Sequence, residues 1–484
     1  MTETPGAHPT EPAHPTGNDL HLDLPATGGR RSALMAALRE AIRSGRLAPG
    51  TRLPPYRALA ADLGLARNTA AEAYTELVAE GWLTARQGSG TTVAERAAPV
   101  PSDRARRPTR RSGSVHDLRQ GQPDAASFPR TAWLAAARRA LTAAPNEAFG
   151  PGDPQGRREL RTVLADYLAR ARGVRTDPDR IVVCSGFAHA LRLLFDGAAA
   201  VLPSADRGPL AVEAYGLGFH RGLLAAAGVA TVPLPIDERG ARVDDLARHP
   251  DLRAVLLTPA HQFPTGGPLY AGRRAAVVDW ARGRGGLVLE DDYDGEFRYD
   301  RQPVGAVQGL DPDRVVYLGS TSKSLSPALR LGWMVLPDHL VDRVLAAKGE
   351  REAWASALDQ LTLAEFIDSG GYDRHLRRMR RRYRDRRDQL VAALAANAPH
   401  IGVSGIAAGL HAVLRLAPGT ERSILKAAAY RGLAVEGLAD YRHPAVTAEA
   451  MPAVDGLVVG YATPPDHAYP AALQALCDIL PPAA

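Results

Sequence analysis

The stretch GSTSKSLSPALRLGW, Gly319–Trp333, sets one lysine among small hydroxyl residues. The chain carries 59 lysines and arginines, of which only Lys323, Lys348 and Lys426 are lysines. Arginine cannot replace lysine where an amine must react with a carbonyl, because its guanidinium stays protonated and poorly nucleophilic. A lysine in so arginine-rich a chain therefore points to chemistry, although a plain surface lysine is the simpler alternative. Just upstream, VVYL (315–318) is a continuous apolar run, so GSTSKS begins where a buried strand ends. Hydroxyls at Ser320 and Ser322, the amine of Lys323 and the guanidinium of Arg330 would together make a phosphate cradle around an amine.

The pattern repeats outward. IVVC (181–184), LAVE (210–213), AVLL (254–257) and LVLE (287–290) are short apolar runs, each followed by a loop and usually a helical period. This alternation predicts a mainly parallel, doubly wound α/β sheet from about Asp117 to the end. Ligands of such sheets sit at the carboxyl ends of strands. After IVVC, Ser185 and Gly186 lead into a helix whose first N–H groups suit phosphate, though many strand–helix turns carry a glycine. After LVL comes EDDYDGEF, with more acid than a turn needs; its plain alternative is a solvated acidic loop. A lysine, a carboxylate for a pyridinium nitrogen, a hydroxyl for a ring oxygen and a phosphate site are what an aldehyde cofactor requires.

The N-terminal part is different in kind. Residues 1–27 carry four acidic and no basic side chains, whereas residues 28–111 carry 15 arginines against seven acids. With a net charge of +6 overall, the remainder is nearly neutral. A short basic module beside a large neutral one suggests a polyanion partner for the first. In SALMAALREAIRS (32–44), Leu34, Leu38, Ala41 and Ile42 share a helical face. Pro54 and Pro55 then open a second helix near Tyr56–Leu63, Gly64 breaks it, and a third runs from about Ala66 to Glu80. Two short helices around a glycine turn, followed by a small hairpin about QGSG, read as a winged helix-turn-helix. Its second helix would present Arg67, Asn68 and Thr69 to base edges. Arg52 and Arg57 would hold phosphates, while Gly88 and Gly90 would let the hairpin backbone approach the sugar–phosphate wall.

The expected organisation is a solvated tail (1–27), a DNA-binding domain (28–97), a basic Pro/Arg-rich linker (98–116) and the α/β domain (117–484). With 45% apolar and 23% charged residues and no apolar run of membrane-spanning length, a soluble protein is expected. Two cysteines, Cys184 and Cys477, make no disulfide framework and fit a reducing cytoplasm. No metal site is expected.

Residues 28–95 resemble the winged helix-turn-helix domain of the GntR family, on the motifs RLPPYRALAADLG, LARNTAAEAYTELVAEGWL and RQGSGT. Tyr56 and Ala66 depart from the Ser or Thr frequent there. Residues 117–484 resemble the fold-type I aminotransferase domain that binds pyridoxal 5′-phosphate, and the whole chain resembles the MocR-type transcriptional regulators. The motifs carrying this are FPRTAW (128–133), GDPQG (152–156), TPAHQFPTG (258–266), EDDYDGEFRY (290–299), STSKSLSPALRLGW (320–333) and GLHAVLRL (409–416). The resemblance implies that Lys323 forms the internal aldimine, Asp291 pairs with the pyridine nitrogen and Tyr293 reaches the phenolic oxygen. It implies that Ser185, Gly186, Phe187, Ser320, Ser322 and Arg330 hold the phosphate. It also implies a homodimer, a two-fold duplex DNA operator and a small effector, either the cofactor itself or an amine or amino acid.

Several departures bear on catalysis. Aminotransferases grip the substrate carboxylate with an arginine near the C-terminus. After Arg442 this chain has no Arg or Lys, and LVVGYATPPDH offers Thr463 and His467 instead. Pro151, with Phe149 nearby, stands where a tyrosine ahead of GDPQG is usual. In VEAYGLGFHR the ring-neighbouring tyrosine is either Tyr215 or absent. No residue is assigned a catalytic role. These losses fit a PLP-dependent regulator that senses through the aldimine; an active aminotransferase is the alternative. Residues 374–390 carry nine arginines, read either as a solvated helix or as a second surface for DNA phosphates.

Overall fold

The computed structural model describes residues 22, 24, 29–86, 90–95, 115–150, 152–196, 208–299, 304–349 and 355–481. The chain divides into two compact units, Met1–Arg111 and Ser112–Ala484.

In the first unit, α1 (Arg30–Arg43) buries Leu34, Leu38, Ala41 and Ile42 on one face. Pro55 stands at the start of α2 (Tyr56–Asp62), where its missing N–H costs nothing. Gly64, at φ 62°, makes the left-handed turn into α3 (Arg67–Ala79), which buries Ala70, Ala73, Tyr74 and Leu77. Tyr74 donates its hydroxyl to the Pro54 carbonyl at 2.9 Å, pinning α3 to the proline turn. Arg39 pairs with Glu80 through two hydrogen bonds, 2.9 and 2.6 Å, joining α1 to the end of α3. Strands β1 (Leu83–Arg86) and β2 (Gly90–Val93) form the antiparallel wing. Residues 51–53 pair with β2 through Val93 N to Thr51 O and Leu53 N to Thr91 O.

The second unit holds helices α4 (Arg130–Ala143), α5 (Arg158–Arg172), α6 (Phe187–Phe195), α7 (Gly218–Ala226), α8 (Ala271–Arg284), α9 (Asp338–Lys348), α10 (Ala357–Asp368) and α11 (Gly371–Asn397). They surround a sheet of seven described strands: β3 (Ile181–Cys184), β4 (Leu210–Glu213), β5 (Thr231–Leu234), β6 (Ala254–Leu257), β7 (Leu287–Asp291), β8 (Val315–Ser320) and β9 (Gly332–Val335). Their order is β3-β9-β8-β7-β6-β4-β5, parallel except for β9, which runs antiparallel to both neighbours. The apolar runs are strands because the sheet is covered on both faces; Ile181–Cys184, for example, is buried throughout. Strand β9 begins in the last two residues of the stretch GSTSKSLSPALRLGW, its four residues giving no period of their own.

A smaller antiparallel sheet, β10 (Val403–Ser404), β11 (His411–Arg415), β12 (Glu436–Gly437) and β13 (Gly456–Gly460), completes the unit in the order β10-β11-β13-β12. No helix of the described residues is long and apolar enough to cross a membrane.

Candidate functional site

The carboxyl ends of β3, β4, β6, β7 and β8 converge on a cavity of about 260 Å³, reached by Gly186, Glu213, Thr258, Asp291 and Ser320. Phe187, Tyr293, Ser322, Lys323 and Arg330 also stand in its wall. Ser185 does not: its N–H donates to His189 Nδ1 at 3.0 Å, and its carbonyl accepts from Arg330 Nη2 at 2.5 Å. Burial holds His189 neutral, its pKa lowered to about 4, so its ring nitrogen can accept. The N–H groups left for an anion at this turn are those of Gly186 and Phe187, at the start of α6.

Lys323 is half-buried and donates to the Gly121 carbonyl. Burial lowers its pKa, while Asp294 and Asp291 pull the other way. Arg330 is the one non-glycine with positive φ, 52°, among the described residues. Such a conformation persists only when its surroundings demand it; here it turns the guanidinium onto Ser185 and within 4 Å of where a side chain on Gly186 would lie.

The acidic motif is sorted by strand alternation, which sends successive residues to opposite faces. Glu290 accepts from Val307 and Gln308 N–H, 2.9 Å each, and caps a short helical turn. Asp292 takes both arms of Arg172, at 2.6 and 3.0 Å, and the Tyr317 hydroxyl at 2.7 Å. Glu296 accepts from Tyr167 at 3.3 Å. Asp291, on the opposite face, reaches the cavity and receives no hydrogen bond among the described residues. Burial, and then repulsion from Asp292, push its pKa well above the usual carboxylate range, against the pull of Lys323. Tyr293 shares its face, its hydroxyl 3.0 Å from His261 Nδ1. That nitrogen lies 2.9 Å from Asp294 Oδ2.

Sequence reasoning missed Gly121 and Gln120, whose segment carries no periodic or charge signal. It also missed the contact between Phe187 and His220, rings 4.4 Å apart, in the same cavity. Glu213, which accepts from Thr258 and Gln262, could have been found as an acid ending an apolar run. Tyr215 is buried and in the cavity wall. Thr463, where a carboxylate-gripping arginine was expected, lies 2.9 and 3.0 Å from the carbonyls of Arg119 and Gln122 and holds that strap in place. His467 is exposed. Arg442 spends its guanidinium on the carbonyls of Val446, Thr447, Met451 and Pro452. Phe149 is exposed, and Pro151 lies outside the described residues.

In the first unit, Arg67, Asn68 and Thr69 are the first three residues of α3, with Arg67 and Asn68 exposed. The helix has no side-chain cap, which leaves its first N–H groups open. Arg52 and Arg57 are exposed, and Arg52 Nε lies 3.1 Å from where a side chain on Gly90 would begin, so this glycine (φ 84°) lets the wing sit against the arginine. Gly88 lies outside the described residues.

Among known proteins, "Bacterial regulatory proteins, gntR family" matches residues 30–93, and "Aminotransferase class I and II" matches residues 114–456. The HTH-type pyridoxine biosynthesis transcriptional regulator PdxR of Corynebacterium glutamicum is 34% identical, over 84% of this chain and 88% of its own. The probable rhizopine catabolism regulatory protein MocR of Rhizobium meliloti is 33% identical, over 85% and 86%. A crystal structure of an archaeal alanine:glyoxylate aminotransferase superposes with a TM-score of 0.66 over 75% of this chain and 90% of that one, at 22% identity, a likeness of fold alone.

Proposed function

This chain belongs to the GntR/MocR family of transcriptional regulators with an aminotransferase-like domain; on that premise we propose that the domain holds pyridoxal phosphate against Lys323 and reads an amine or amino acid there. The observation that carries the proposal is the meeting, in one cavity, of the half-buried Lys323, whose pKa burial lowers, with the half-buried Asp291, which receives no hydrogen bond among the described residues. An unpartnered buried carboxylate is costly, and a protonated pyridine nitrogen is the partner its position fits. Pyridoxal phosphate, when bound, supplies an aldehyde carbon that exchanges between amines.

The chain's own groups have distinct parts. Lys323 offers its amine, oriented by the Gly121 carbonyl. Asp291 would partner the ring nitrogen, and Tyr293, braced by His261 and Asp294, would serve the phenolic oxygen. Ser320, Ser322, Arg330 and the Gly186 and Phe187 amides take the phosphate. The strap held by Thr463 carries Gly121, whose carbonyl accepts from Lys323. With Thr463 and Arg442 committed to backbone carbonyls, sensing is favoured over turnover.

The reading extends to a cytoplasmic homodimer acting on a two-fold operator. The packed elements α4, α10 and the turn 146–149 support it by exposing Leu134 (70%), Phe149 (57%) and Leu358 (43%). Effector binding would shift the large domain between arrangements that place the dimer's two winged helices differently on DNA. Residues 28–97 and 117–484 are taken as the DNA-binding and effector domains.

Purified protein with pyridoxal phosphate is expected to gain visible absorption that Lys323→Ala abolishes; no absorption in the wild type refutes the cofactor reading. Turnover of common amino acids with 2-oxoglutarate at about 1 s⁻¹ or faster would overturn sensing in favour of catalysis.

A further inference from the structure

Helix α11 divides eight of its nine arginines between two duties. Arg380 donates to the Glu296 carbonyl, Arg382 pairs with Asp124 and Asp466, and Arg386 holds Asp466 and the carbonyls of Tyr461 and Ala462. These three fasten the helix to the fold.

Arg374, Arg377, Arg378, Arg381 and Arg384 are all exposed, and none has a carboxylate partner among the described residues. At 3.6 residues per turn they fall within about a third of the helix circumference and extend for about 15 Å. Asp385 and Asp388 stand one turn beyond Arg381 and Arg384 yet form no ion pair with them. Placing like charges at i, i+3 and i, i+4 works against a helix. Between Arg378, Arg381, Arg382 and Arg386 the surface also opens into a groove of about 460 Å³, lined in addition by Asp385, Gln389 and Asp466.

We propose that this arginine stripe is a second DNA surface that engages duplex phosphates, separate from the winged helix. The partner is argued from charge: the chain already binds a polyanion, and about 15 Å spans four to five phosphates of one strand along a duplex axis. A row of guanidiniums spaced along one helix suits backbone phosphates, so its proposed contribution is to affinity rather than to sequence choice.

The test is the salt dependence of full-length protein binding a duplex from its own promoter region, from 50 to 200 mM salt. Each phosphate contact contributes about 0.9 to the slope of log affinity against log salt. The triple variant Arg377→Gln, Arg381→Gln, Arg384→Gln is expected to lower the slope by about 2.7, while the matching Arg→Lys triple keeps it. Retained visible absorption with pyridoxal phosphate would report an intact fold. An unchanged slope in the Gln triple, with wild-type binding intact, overturns this proposal and leaves the regulator reading standing. Lost promoter regulation with an unchanged slope would assign the stripe to a protein partner and equally overturn it. A wild type that binds no DNA would remove both.

Discussion

Asp291→Asn separates the two roles of one carboxyl. In the protein alone, loss of water acts first against the charge of the half-buried Asp291, then Asp292, Asp294 and Glu213, while Lys323 favours it. Its pKa is raised above that of the unfolded chain, so the native state prefers the neutral form. Stability is therefore lost as pH climbs above the ordinary carboxylate range of about 3.9. Asparagine has nearly the same shape and no charge, so cofactor-free Asp291→Asn should melt higher than wild type at pH 7. Cofactor binding should move the other way. Removing one partner of a buried charge pair costs about 2–5 kcal/mol, a loss of roughly 30- to several-thousand-fold in affinity. Titrating cofactor-free protein with pyridoxal phosphate, followed by absorbance, gives the affinity, and thermal melting gives the stability. Affinity within threefold of wild type would refute the assignment of Asp291 to the ring nitrogen. A lower cofactor-free melting temperature would refute the account of it as an unsatisfied charge.

Gly332→Ala would place a methyl 2.7 Å from Gly186 Cα and 3.0 Å from Gly186 N and Gly319 O, all backbone. The phosphate turn must shift, so a stability loss of about 1–3 kcal/mol with weaker cofactor binding is expected in melting and titration. Glu213, its pKa raised to about 7 by burial, is preferred protonated in the native state. Stability should fall as pH rises from about 4.3 to 7, and Glu213→Gln should flatten that fall by up to about 3 kcal/mol in cofactor-free melts, part of the slope remaining because Glu290 and Glu296 behave alike. Arg67→Ala or Asn68→Ala should cost about 1–3 kcal/mol on promoter DNA and little on random duplex, measured by competition gel shift.

Much of the architecture was legible locally. Five of the seven main strands are short apolar runs visible in the chain, and the first three helices follow a 3.6-residue period bounded by Pro55 and Gly64. Strands β5 and β9 escaped notice because TVPL is interrupted by proline and GWMV continues a loop motif. The candidate site was legible as residue types in order, but not in its internal bookkeeping. Nothing in the sequence says that Ser185 spends its N–H on His189, that Gly121 meets Lys323, or that Thr463 holds a strap 344 residues away.

The motif EDDYDGEF marks the boundary between the two kinds of knowledge. Its position after an apolar run was enough to place acids at a strand end, because hydrophobic burial and the two-residue strand period are local properties. Which acid faces the cavity depends on partners distant in the chain: Arg172 and Tyr317 for Asp292, Val307 and Gln308 for Glu290, His261 for Asp294 and Tyr167 for Glu296. A carboxylate's role follows from which donors reach it and how much water it loses, and only the packed sheet determines both.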